Sequence, residues 1–140
     1  MNLQFGVLRV VNDDTINAYS GFDDHRHENM EIVTILLEGR LTHRDSLGNT
    51  VTIKAGEIQR MSAGTGIIHA EKNLGDEPVH LYQLWFLPNA PGRTPSYEQK
   101  DFSFLEKNRL VPIAASVPTE GVLSLSADAS LYLGEFEAGK

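Results

Sequence analysis

Not one cysteine occurs among the 140 residues, which excludes disulfides, thiolate nucleophiles and sulfur-ligated zinc or iron–sulfur centres. Any metal must therefore be held by nitrogen and oxygen. Positive charge is also short, since 12 Lys and Arg stand against 19 Asp and Glu, for a net charge of −7. A nucleic acid backbone would be repelled on average, because non-specific affinity is built from cationic contacts, and no direct nucleic acid binding is expected. No run approaches the ~20 consecutive apolar residues that span a bilayer, and the N-terminus lacks a basic region followed by an apolar stretch and a cleavage site. No membrane association and a cytoplasmic location are expected. What remains, 41% hydrophobic and 22% charged residues, suits a globular chain with one well-buried core.

Helical periodicity is lacking as well. The chain reads as short apolar runs punctuated by turn residues, an all-β pattern. Residues 5–11 and 31–37 are β-branched strand candidates, ended by Asn12, Asp13 and Asp14 in one case and by Glu38 and Gly39 in the other. Asp45 to Asn49 form a hairpin loop joining residues 40–44 to 50–53, because Gly48 and Asn49 tolerate positive φ. A second turn falls at residues 54–57, and Gly64, Thr65 and Gly66 form a third, with no P-loop lysine to make it a phosphate cradle. Residues 67–71 and 79–87 read as strands, the second closed by Pro88, with Trp85 and Phe86 assigned to core or interface. Residues 89–107 turn to Pro, Gly, Ser and charge and read as an irregular arm, which only Phe102, Phe104 and Leu105 could anchor. Two further strands are expected at 121–125 and 130–134.

Chemistry enters through the histidines. Side chains alternate along a strand, so His25 and His27 point one way together, and so do His69 and Glu71. Two such pairs on facing strands of a barrel would converge on one interior point. Three neutral imidazoles and one carboxylate would suit one divalent ion of Fe, Ni, Cu, Mn or Zn, with positions left for water, dioxygen or a chelating substrate. Glu31 competes with Glu71, because its odd number keeps it on the face of His25 and His27 if the strand is unbroken, either as a ligand or as a partner that orients an imidazole. Parity does not choose between them. His43, beside Arg44 and Asp45, reads as an exposed or turn-bonded side chain rather than a ligand, and His80 as structural. Ser46, Ser62 and Thr65 lack the paired histidine and acid of a nucleophilic site.

Three motifs in order are familiar. They are Gly21 to Thr34 around His25, Arg26 and His27; His43 to Asn49; and Gln59 to Glu71 around Gly64, Gly66 and His69. Together they resemble the pirin family of the cupin superfamily, over residues 5–99. The resemblance implies a single cupin jelly-roll barrel, or double-stranded β-helix, over residues 1–111. It implies metal ligands at His25, His27, His69 and Glu71, and so favours Glu71 over Glu31. Pirin-like proteins bind iron, which makes Fe(II) the expected metal. Some act as quercetin 2,3-dioxygenases, which implies a small aromatic chelating substrate such as a flavonol. Its hydroxyl proton would pass to Glu71 as catalytic base, with Glu31 in reserve. Nuclear members act as redox-sensitive transcriptional cofactors, which implies the alternative of a non-catalytic iron-binding regulator acting through protein partners. The chain departs from the pattern in two places. Arg26 stands where pirins commonly have proline, so a looser, more positive pocket mouth is expected. Pirins also carry two cupins, whereas residues 112–140 are similar only to the opening strands of the second; these strands are expected to complete the barrel or to form the interface of a homodimer.

Overall fold

The computed structural model describes residues 2–102, 108–117 and 121–134, and among them there is no helix. The strands are β1 (Asn2–Phe5), β2 (Leu8–Ile16), β3 (Gly21–His27), β4 (Glu31–Glu38), β5 (Arg40–Asp45), β6 (Thr50–Lys54), β7 (Glu57–Ser62), β8 (Ile67–Lys72), β9 (Val79–Phe86), β10 (Ser96–Asp101), β11 (Leu110–Ala115), β12 (Leu123–Ser124) and β13 (Ser130–Gly134). They form a six-stranded sheet in the order β1-β2-β9-β4-β7-β10, a four-stranded sheet β3-β8-β5-β6, and a three-stranded sheet β12-β11-β13.

The sequence of β4 explains the layering. Ile32 to Leu36 show no apolar–polar alternation, which marks a strand covered on both faces. On one face Ile32 joins Met61 and Ile67, while Leu36 joins Leu41, Ile53 and Leu81; these contacts seat the four-stranded sheet. On the other face Val33 and Ile35 meet Ile58, Ile113, Ala114 and Leu123, and these seat the three-stranded sheet. The six-stranded sheet is thus the middle of three layers.

The described chain differs from the sequence reading at four places. β2 does not stop at Asn12 but continues to Ile16, because β9 pairs with it from Val11↔Leu84 to Ile16↔Val79 and satisfies the backbone of its acidic residues. The expected irregular arm contains β10, which pairs with β7 from Ser96↔Ser62 to Asp101↔Glu57; cross-strand hydrogen bonding overrides its polar composition. Phe102 is buried, while Phe104 and Leu105 lie outside the described residues. Finally, the C-terminal strands add to neither of the first two sheets. They include β11, unforeseen because Pro112 interrupts its sequence, and the position 111/112 falls within that strand.

Ile58 is fully buried where the middle and third layers meet. We predict that Ile58→Ala lowers unfolding free energy by about 2–5 kcal/mol, whereas Leu74→Ser, on an exposed side chain, changes it by less than about 0.5 kcal/mol. Urea midpoints of the two variants check this.

Candidate metal centre

β8 is the strand on which the site is built. It lies between β3 and β5, and its residues pair in two adjacent rows: His25↔His69↔Asp45 and Phe22↔Glu71↔His43. Directly opposed residues of antiparallel strands share a face, so these two rows put three histidines and two acids on one face of the four-stranded sheet, and His27, opposite Ile67, adds a fourth histidine to it. A register shift between Phe22 and His25, where β3 has one residue more than β8, is a bulge that re-aims the strand just before His25.

The rings of His25, His27 and His69 meet with centroids 4.7, 4.4 and 4.9 Å apart. His25 Nδ1 lies 2.8 Å from the Asp23 carbonyl oxygen. A carbonyl only accepts, so this nitrogen holds a proton, and in the neutral ring Nε2 carries a lone pair. Nε2 lies 3.0 Å from His69 Nε2, one of the two nitrogens donating to the other. Two nitrogens bound at about 2.1 Å on adjacent positions of one ion would be about 3 Å apart. The donor set therefore fits a divalent cation.

Glu71 is 4% exposed and leans to the other side of His69. One carboxylate oxygen, Oε2, accepts a hydrogen bond from Gln59 Nε2 and lies 3.5 Å from His43 Nδ1, an ionic approach without a formed hydrogen bond. The other, Oε1, accepts only a 3.3 Å bond from Gln83 Nε2. The donor atoms accordingly fall into two groups that share His69: His25, His27 and His69, and His43, His69 and Glu71.

Electrostatics separate these groups too. Burial pushes His69 down to about 4 and, with the adjacent His25, lowers His27, so both imidazoles are neutral at pH 7 and able to donate lone pairs. His43 goes the other way. Burial opposes its charge, yet the carboxylates of Glu71 and Asp45 raise it above the usual imidazole range. Burial likewise opposes ionisation of Glu71 and Asp45, but contacts with His43, joined by His69 and Gln59 at Glu71 and by Asn49 at Asp45, hold both below the ordinary carboxylate range.

A pocket of about 250 Å³ opens beside the histidines, lined by Asn12, Asp14, Phe22, Leu81, Gln83 and Trp85 among others. Trp85 stands edge-on to His27, 4.8 Å between centroids, and its Nε1 donates to Gln83 Oε1 at 2.9 Å. It belongs to the site wall as well as to the core.

Three readings need correction. His43 is bonded to the turn through Asp45, as one of its two expected environments has it, but it is fully buried rather than exposed, because β5 alternates with Leu41, His43 and Asp45 inward and its register with β8 sets His43 opposite Glu71; the apolar Leu41 two residues earlier is the available signal. Glu31 is not at the site. The chain turns at Asn29, φ +64°, and crosses from the four-stranded to the six-stranded sheet, so parity is not carried from His27 to Glu31. There Glu31 is buried against the third layer, accepting from Ser62 Oγ at 2.9 Å and Ser126 N at 2.8 Å. Arg26 is absent from the pocket lining. Its guanidinium lies across Gly66, where any Cβ would come within 2.3 Å, donates to the Thr65 carbonyl at 3.0 Å and pairs with Glu28, fastening the histidine strand to the turn before β8. His80, by contrast, makes a surface contact with Asp13 at 2.5 Å.

Sheet layers of this kind with histidines converging from neighbouring strands define a cupin. The pirin family model matches residues 2–86, and the chain belongs to that family. It is 46% identical over 91% of its length to a quercetin 2,3-dioxygenase of Escherichia coli, 55% of which it covers. Its structure matches that of the bacterial pirin YhhW of Escherichia coli in complex with nickel(II), at a TM-score of 0.85, 45% identity, 91% of this chain and 55% of the other. The protein YhaK of Escherichia coli matches at a TM-score of 0.79 and 28% identity, 94% of this chain and 57% of the other. The chain spans little more than half the length of these relatives.

The depressed His69 makes a pH prediction. An unfolded histidine takes up its proton near pH 6.5 while the folded one refuses it until about 4, so stability of the metal-free protein falls as pH drops through that window, by on the order of 3 kcal/mol at most. His43, being raised, acts only above 6.5 and leaves this window untouched. Urea midpoints between pH 7 and 4 should show the slope in the parent chain and a flatter one in His69→Asn.

Proposed function

We propose that this chain is a metal-binding cupin with dioxygenase activity on a flavonol or a related aromatic chelator, with Fe(II) as its metal and nickel(II), carried by one relative, as an alternative. The observation that carries this reading is the convergence of His25, His27 and His69 at one end of a pocket, with a buried carboxylate next to them. When bound, a divalent ion supplies Lewis acidity and open positions for a substrate's adjacent hydroxyl and carbonyl oxygens and for dioxygen. The protein's own groups do the rest. The imidazoles of His27 and His69, neutral at pH 7, would hold the ion without competing protons. Glu71 Oε2 is occupied by Gln59, so Oε1, with its single long bond from Gln83, is the atom that would take the hydroxyl proton. Trp85 and Phe22 offer ring faces and edges to an aromatic substrate, while Leu81 and Leu41 keep the inner wall dry. We also propose a homodimer; the exposed Leu110, Val117 and Tyr132 near the outermost sheet supply apolar area for a second copy.

Elemental analysis of the purified protein should find about one transition-metal ion per chain, and His69→Ala should lose most of it. Quercetin consumption under oxygen by the metal-loaded protein should fall about a hundredfold or more in Glu71→Gln. Metal without turnover would turn the reading to a regulator that works through protein partners, and absence of metal would end both.

A further inference from the structure

Two residues outside the set His25, His27, His69 and Glu71 stand next to Glu71: His43 and, behind it, Asp45. His43 is fixed on three sides. Its Nε2 donates to Asp45 Oδ2 at 2.7 Å. Its ring stacks on Tyr97, 4.3 Å between centroids and 21° from parallel. Its Nδ1 faces Glu71 Oε2 at 3.5 Å. Asp45 is itself immobilised by the hairpin: Oδ1 accepts from Leu47 N at 2.9 Å and Asn49 N at 3.2 Å, and the Asn49 side chain reaches both oxygens at 3.2 and 3.0 Å. Tyr97 completes the frame, because its hydroxyl donates to Gln59 Oε1 at 2.8 Å and Gln59 in turn donates to Glu71. Every route from the β5–β6 turn ends on the same carboxylate oxygen.

We infer that the Asp45–His43 pair is a positioning device for the metal centre, which draws Glu71 away from His25 and His27 and so sets how far the fourth donor approaches the ion. Neither residue lines the pocket, so neither touches a bound substrate; the pair acts through Glu71. This explains why Glu71 groups with His43 and His69 rather than with His25 and His27. A residue that orients a ligand in this way typically changes metal affinity 10–100-fold when it is lost. The inference rests on the metal-binding part of the proposed function and is independent of the substrate.

The test is a cycle of variants of the full chain titrated with nickel(II), with the visible spectrum of the cobalt(II)-loaded protein as a second readout. His43→Gln and Asp45→Asn should each weaken nickel binding about 10–100-fold and shift the cobalt bands, and His80→Gln should do neither. In a Glu71→Gln background, His43→Gln should change affinity by less than about threefold, because its route to the ion is gone. Equal losses in both backgrounds would mean that His43 binds the ion directly or acts only on the fold, and would overturn the inference. So would unchanged affinity and spectra in the single variants. If His43→Gln does not fold, Asp45→Asn in the same cycle decides. A parent chain that binds no nickel defeats the inference together with the metal reading; one that binds nickel without consuming quercetin defeats only the dioxygenase.

Discussion

The pairing of β8 with β3 and β5 is the constraint from which the site follows. Strand side chains alternate with a period of two, so slipping either partner by one residue would send its donors to the opposite face. The register His25↔His69 and His43↔Glu71 is pinned from both ends of the sheet: by the Asp45–Asn49 turn on β5, and by Arg26 clamped over Gly66 on the β3 side. With those fixed, the imidazoles of His25, His27 and His69 meet on one side, and Glu71 faces His43 on the other side of His69.

Such a gathering is costly in a folded protein. Buried polar groups without partners destabilise it, and both His69 Nδ1 and His43 Nδ1 lack a hydrogen bond. The core on either side provides the compensation. Apolar clusters flank the histidines along the sheets, with Leu41, Ile53 and Leu81 in one and Ile32, Met61 and Ile67 in the other. Both exclude water from the inner wall. Charge is arranged to the same end, since His69 and His27 stay neutral as lone-pair donors while His43 gathers positive charge between two carboxylates. Neighbouring histidines thus take opposite roles because their environments differ.

Much of this was legible in the sequence where local pattern suffices. The all-β class, the β5–β6 hairpin and the shared face of each histidine pair follow from alternation and turn chemistry, and the pirin motifs point to the fold that brings the pairs together. Legibility ended where register or a change of sheet decides. Glu31 shares parity with His27, yet the turn at Asn29 carries it to another sheet. The polar neighbours of His43 look solvated in the sequence, and only the β5–β8 pairing reveals that it faces Glu71. β10 and β11 carry no local signal because long-range pairing, not propensity, makes Ser96 to Asp101 and the stretch around Pro112 extended.

The most direct measurement is the anomalous diffraction of a crystal of the nickel(II)-loaded protein. The account predicts a single peak bonded at about 2.1 Å by one nitrogen each from His25, His27 and His69, with the Glu71 carboxylate beside it. An ion held elsewhere, or the three rings turned to solvent with no peak among them, would contradict it.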